Sequence, residues 1–140
     1  MVTSRDDPAL AVIYKLVEKR PGKVWQPVMK PSVGKPGFPS RKQVFRRTGR
    51  DGTFLNDTIG LSTERRKGTP LLRCVMRGGR ILGKLPSLRK IRERALRQAA
   101  SLPEPMRGLA PSRAYPVRIS DELRRVRGSL REMDGGIDHG

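Results

Sequence analysis

Apolar positions along this chain come in short runs, each closed off by Gly, Pro or clustered charge. Residues 11–17 are apolar with β-branched and aromatic members and end at Glu18-Lys19-Arg20-Pro21-Gly22, which predicts a buried strand with Lys15 snorkelling from its edge. Residues 23–29 read as a second strand, with Trp25 packed against the first. Residues 43–47 and 53–61 flank Thr48-Gly49-Arg50-Asp51-Gly52, and Asp-Gly supports the positive φ of a tight hairpin turn. Phe54, Thr58 and Leu61 are the expected inward residues of the return strand. Residues 71–76 predict another buried strand, followed by the turn Arg77-Gly78-Gly79-Arg80 and a short return at 81–82.

The period then changes from two to about 3.6. Leu88, Ile91, Ala95, Leu96, Ala99 and Leu102 recur at helical spacing behind Ser87, a good N-cap, and Pro103 stops the run. Residues 105–109 allow one short turn, and residues 115–119 a last strand. Ser120 opens a final helix striped by Leu123, Val126, Leu130 and Met133, ending at Gly135-Gly136. The fold class expected is α+β: short, mostly antiparallel strands and hairpins, then two amphipathic helices packed on one face.

Composition narrows the function classes. The chain has 140 residues, 35% apolar and 4% aromatic, so its core is thin for one domain. Lys and Arg total 31 against 13 acidic residues, a net charge of +18. Such a field draws nucleic acid, acidic lipid or phosphate-rich small molecules without choosing among them. Few aromatics, set among strand residues, argue against a stacking platform for single strands, so nucleic acid is expected only as a non-specific charge partner. Cys74 cannot form an internal disulfide and is expected to be a small buried hydrophobe. With one Cys and one His, His139, the sequence offers no metal constellation. No run reaches the ~20 apolar residues of a membrane span, which excludes a membrane partner by that route and makes the cytoplasm the default compartment.

Two further motifs invite chemistry. Gly78-Gly79 lacks both the Gly-x-Gly-x-x-Gly spacing and a helix directly behind it, so it is not a phosphate-cradling loop. Arg65-Arg66-Lys67 reads either as a solvated turn or as a recognition patch. The stretch from Pro27 to Arg46 holds Lys30, Ser32, Lys35, Arg41 and Lys42 in a loop broken by Pro and Gly. Such breakers can fix cations where an anion is met; the alternative is a solvated basic hairpin loop.

This stretch resembles the segment of nicotinate phosphoribosyltransferases that usually reads Pro-Val-Met-Lys-Leu-Ser-x-Gly-Lys and then a Pro-Gly-Arg-Lys-Gln-Val-Phe-Arg-like run. The likeness extends to Asp7-Pro8-Ala9-Leu10 and Tyr14-Lys15-Leu16-Val17 upstream, and to Pro70-Leu71-Leu72-Arg73-Cys74-Val75-Met76-Arg77-Gly78-Gly79, Leu85-Pro86-Ser87-Leu88 and Tyr115-Pro116-Val117 downstream. Pro31 departs from the usual leucine, and Ser40 stands where a glycine is common.

The resemblance implies a partial chain of a larger α/β-barrel enzyme: residues 1–30 a remnant of the phosphoribosyltransferase core, 31–134 the C-terminal α/β domain, 135–140 a disordered tail. It implies NAD salvage, in which nicotinate, phosphoribosyl pyrophosphate and ATP give nicotinate mononucleotide. The family uses ATP and Mg²⁺, forms homodimers and acts through a phosphohistidine that has no counterpart here. The chain is therefore expected to be inactive alone, to bind no cofactor by itself and to need a missing catalytic portion as partner. It is expected to contribute no catalytic residue and no metal ligand. Lys30, Ser32, Lys35, Arg41 and Lys42 are the candidate contacts to the phosphates of phosphoribosyl pyrophosphate and ATP. A small basic nucleic-acid-binding protein is the alternative reading.

Overall fold

A computed structural model describes residues 15–30, 37–108 and 113–135. The chain divides into two compact units, Met1–Ser40 and Arg41–Gly140.

In the first unit, β1 (Glu18–Lys19) and β2 (Gln26–Pro27) form a two-residue antiparallel ladder. The expected buried strand at 11–17 lies partly outside the described residues. Its remainder, Lys15 to Val17, is not strand, and Leu16 is exposed. Pairing starts only after the apolar run, where Val28 N–H donates to Val17 O at 2.9 Å. Trp25 is half-exposed, with the Arg20 guanidinium 5.3 Å from the centre of its ring. Ser40 has φ of 61°, a left-handed conformation that glycine adopts freely, and its N–H is tied to Val17 O at 2.7 Å.

The second unit is built on a four-stranded sheet whose strands lie in the order Thr69–Pro70 (β5), Lys42–Thr48 (β3), Phe54–Leu61 (β4) and Val117–Ile119 (β8). Its central hairpin is β3 (Lys42–Thr48) and β4 (Phe54–Leu61), antiparallel. Asp51 Oδ1 accepts from Thr53 N–H and Gly52 takes φ of 84°, so the Asp-Gly turn forms as its residues dictate. β5 (Thr69–Pro70) adds antiparallel to β3, and β8 (Val117–Ile119) adds parallel to β4. Gln43 extends the β5 edge: its side-chain amide donates to Leu72 O at 2.9 Å and accepts from Leu72 N–H at 2.8 Å. Gly68 sits where this edge presses closest, and a Cβ there would lie 2.7 Å from Arg46 O.

β6 (Met76–Arg77) and β7 (Arg80–Ile81) form a separate hairpin through Gly78 and Gly79, both at positive φ. The expected buried strand at 71–76 is not there. Leu72, Val75 and Met76 are exposed, as is Cys74, whose thiol donates to Met76 O at 3.2 Å. An apolar run fixes burial only if something covers it.

α1 (Leu88–Ala100) starts at the Ser87 cap, whose hydroxyl accepts from Lys90 N–H, and stops before Pro103. Glu104–Met106 is a single 3₁₀ turn. α2 (Asp121–Gly135) follows β8 directly and packs on β4. Of the two helices expected against one face, α2 supplies the packing and Leu123 its fully buried side chain. α1 is joined to β4 at its C-terminus, where Phe54 N–H donates to Ser101 O, and carries no buried residue.

Candidate functional site

The two faces of β4 carry different chemistry, because successive side chains on a strand point to opposite sides. On one face Asp57 stands opposite Arg46, and on the other Asn56 and Thr58 stand opposite Arg47 and Phe45. The expected inward set of Phe54, Thr58 and Leu61 is corrected: these are only half-buried, and the buried positions are Asp57 and Gly60.

A buried carboxylate needs full hydrogen bonding to remain charged. Asp57 has it. Arg46 Nε and Nη2 donate to its two oxygens at 2.9 and 2.7 Å, and the Tyr115 hydroxyl donates to Oδ1 at 3.0 Å. These bonds, Arg46 first, outweigh burial and hold the Asp57 carboxyl below its ordinary pKa. Burial and the Asp57 contact push the Tyr115 phenol above its own. The Phe54 ring lies 4.2 Å from the Arg46 guanidinium, so the fork is also shielded. This cluster fastens β3, β4 and the approach to β8.

The other face opens into a cleft of about 1130 Å³, walled by β4, β8, the loop after β4 and the first turns of α2. Glu64 sets its floor. Its Oε1 accepts from Leu61 N–H at 2.7 Å and from the Ser120 hydroxyl at 2.6 Å, and its Oε2 accepts from Arg66 at 2.8 Å. Ser120 Oγ in turn accepts from Leu123 N–H at 3.1 Å, so one hydroxyl caps α2 and ties it to the loop. Burial pulls the Glu64 carboxyl up, but the bonds from Ser120, Arg66 and Leu61 N–H, with the Arg66 charge, leave it below its ordinary value. Gly60 makes room for it: a Cβ there would stand 2.8 Å from Oε1.

Around this floor the charges are unequal. Arg66 is held by Glu64, Arg124 by Asp121 at 3.5 Å and Arg125 by Glu122 at 2.7 Å. Arg47, Arg65, Lys67 and Arg118 also line the cleft and have no acidic partner among the described residues. Arg47 is paired across from Asn56, and Arg118 across from Thr58. The sheet therefore presents two arginines on one face, from the two strands that flank β4.

The residues singled out in the sequence are placed differently. Lys30 is exposed in the first unit; Ser32 and Lys35 lie outside the described residues. Arg41 and Lys42 open β3 in the second unit, with Arg41 O accepting from Ser62 N–H at 2.9 Å and Lys42 opposite Leu61. Neither lines the cleft. The triplet Arg65-Arg66-Lys67, open between solvated turn and recognition patch, forms one cleft wall. Sequence reasoning missed Glu64, Ser120 as its partner, and Asp57. One visible signal was Asp57 itself, an acid in the middle of a predicted strand. Among the described residues no group of three or more His, Cys, Asp or Glu could hold a metal ion, and no helix is long and apolar enough to cross a membrane.

Comparison with known proteins shows what the chain resembles. Residues 64–127 match the family model for the nicotinate phosphoribosyltransferase C-terminal domain. The match begins at the floor carboxylate, Glu64, and ends within α2. The chain is 37% identical over 142 residues to nicotinate phosphoribosyltransferase pncB2 of Mycobacterium tuberculosis, in two strains. That alignment takes in 99% of this chain and 29% of the relative, so the chain spans under a third of the length of the curated relatives it matches. The crystal structure of human nicotinic acid phosphoribosyltransferase superposes with a TM-score of 0.62 at 26% identity, over 77% of this chain and 26% of that one.

Proposed function

This chain is a relative of the nicotinate phosphoribosyltransferases and carries their C-terminal domain, and from that premise we propose that it serves as the C-terminal part of such an enzyme. Its reaction class is the joining of nicotinate to the ribose of phosphoribosyl pyrophosphate in NAD salvage. The catalytic portion comes from polypeptide outside these 140 residues. The observation that carries the reading is the alignment: almost the whole chain matches, and it matches less than a third of the relative.

The surface supports the need for a partner. Along α1, Leu88 is 85% exposed and Leu96 60%, and Leu85 just before it is 67% exposed. Covering one such side chain is worth about 1.5–3 kcal/mol. A helix with an apolar stripe and no buried residue has its packing partner elsewhere. The catalytic portion is that partner in this reading.

Lys30, Ser32, Lys35, Arg41 and Lys42 keep the role of holding phosphate, as point charges and one hydroxyl, with no proton transfer assigned to them. ATP and Mg²⁺ belong to the catalytic portion in this reading: Asp57 is committed to Arg46 and Tyr115, Glu64 to Arg66, Ser120 and Leu61 N–H, and among the described residues no three His, Cys, Asp or Glu are grouped for a metal.

The test is an assay of nicotinate mononucleotide formation from nicotinate, phosphoribosyl pyrophosphate and ATP-Mg²⁺. The chain alone is expected to give none, and addition of the remaining portion of a relative, itself inactive, to restore it. Product from the purified chain alone would refute the reading of inactivity. In the restored enzyme, Lys35→Ala with Lys42→Ala is expected to raise the KM for phosphoribosyl pyrophosphate about tenfold, equivalent to about 1.4 kcal/mol. An unchanged KM removes the phosphate-holding role.

A further inference from the structure

The cleft on the Asn56–Thr58 face of the sheet has no part in the argument for NAD salvage, and its charge calls for an account of its own. Three of its arginines are neutralised by carboxylates at 2.7 to 3.5 Å. Of those carboxylates Glu64 has both oxygens occupied, by Arg66, Ser120 and Leu61 N–H, while Asp121 and Glu122 each hold one arginine of their own helix. Arg47, Arg65, Lys67 and Arg118, which have no acidic partner among the described residues, line the same concavity of about 1130 Å³. Like charges exposed along one concavity add their potentials, and an entering anion meets them together.

The geometry is built rather than incidental. Arg47 and Arg118 rise from β3 and β8 on either side of Asn56 and Thr58, whose amide and hydroxyl add donors between them. Arg65 and Lys67 come from a loop held by the Glu64–Ser120 bond and by the close passage of Gly68 against the Arg46 carbonyl. The cations are thus carried on the sheet and on a tied loop. Arginine forks beside hydroxyl and amide donors suit phosphate oxygens, and four cations suit more than one phosphate.

We infer that this cleft is a binding site for a compact, multiply charged anion of the polyphosphate class. It holds such a group by charge and donor geometry, without chemistry on it. The inference stands apart from the salvage reading and from the loop cations Lys30 to Lys42, since it uses none of their residues.

Inorganic tripolyphosphate, titrated by calorimetry into the full 140-residue chain at 150 mM salt, tests it. The expected result is saturable one-to-one binding. Arg47→Ala with Arg118→Ala, both on the strand surface, is expected to weaken it at least tenfold with the circular dichroism spectrum unchanged. Arg92→Ala with Arg94→Ala, which removes the same charge from α1, is expected to change it less than twofold. If Arg47→Ala with Arg118→Ala perturbs the spectrum, Arg65→Ala with Lys67→Ala in the loop carries the same expectation. A nucleoside triphosphate in a parallel titration separates a free phosphate chain from a nucleotide tail, and tighter binding of either supports the site. Equal weakening by the cleft and α1 pairs, or no saturable binding of either probe, overturns it.

Discussion

Arg46 grips Asp57 with both arms of its guanidinium, at 2.9 and 2.7 Å, across the central hairpin. Asp57 is 7% exposed, so removing its partner or itself leaves a charge where water cannot reach it well. Asp57→Ala is expected to lower unfolding free energy by about 3 kcal/mol in urea denaturation, within the range for a broken buried pair. The double variant with Arg46→Leu is expected to cost less than the sum of the two singles. Additive losses would mean that the two side chains act independently.

Gly60 is expected to be intolerant for a reason unrelated to its backbone angle. A methyl group there meets the Glu64 carboxylate at 2.8 Å, and that carboxylate is pinned by three donors. Gly60→Ala should cost about 2 kcal/mol, the scale of a lost set of buried hydrogen bonds. In a Glu64→Ala background the same change should cost under about half as much. Equal cost in both backgrounds would locate the effect elsewhere.

Stability should depend on pH at both ends. Asp57 and Glu64 have folded pKa values below their unfolded ones, so their contribution is complete above the ordinary carboxylate range of about 4 and is lost as pH falls through the lowered folded values. Asp51, at the hairpin turn, is shifted the same way by the Thr53 N–H and hydroxyl. Tyr115 works oppositely. Its raised phenol stabilises fully below about 10, and that contribution goes as pH climbs through its folded value. Urea midpoints between pH 3 and pH 11 should therefore form a plateau with two falling flanks. Asp57→Asn should make the acid flank shallower, because one of the groups that must be protonated is gone.

Cys74 is exposed, and its thiol should react with a disulfide-forming colour reagent under native conditions at a rate near that of a free thiol. Reaction only after denaturant is added would show that the segment 71–76 is buried after all.

What the sequence disclosed was what local chemistry dictates. The Asp51-Gly52 turn, the Ser87 and Ser120 caps and the stop before Pro103 are each settled by a residue's own backbone or side-chain preference. The register of the hairpin was not readable in this way. Arg47 pairs with Asn56 but Thr48 with Phe54, so Leu55 is extra, and that bulge decides that Arg46 meets Asp57. Likewise the apolar run from Leu71 to Met76 reads as buried because apolar runs usually are, but Leu72, Val75 and Met76 stay exposed among the described residues. The cleft was out of reach for a third reason. Arg47, Arg65, Lys67 and Arg118 are scattered over seventy-odd positions, and only the parallel pairing of β4 with β8 gathers them.

The measurement that bears most directly on the account is a chimera. The segment of the Mycobacterium tuberculosis relative that aligns with this chain is replaced by this chain, and the rate of nicotinate mononucleotide formation is followed. The account predicts that the chimera forms product, at no less than about a tenth of the parent rate, while the parent truncated of that segment forms none. A truncated parent that works as well without the segment would contradict it, as would a folded chimera that makes no product.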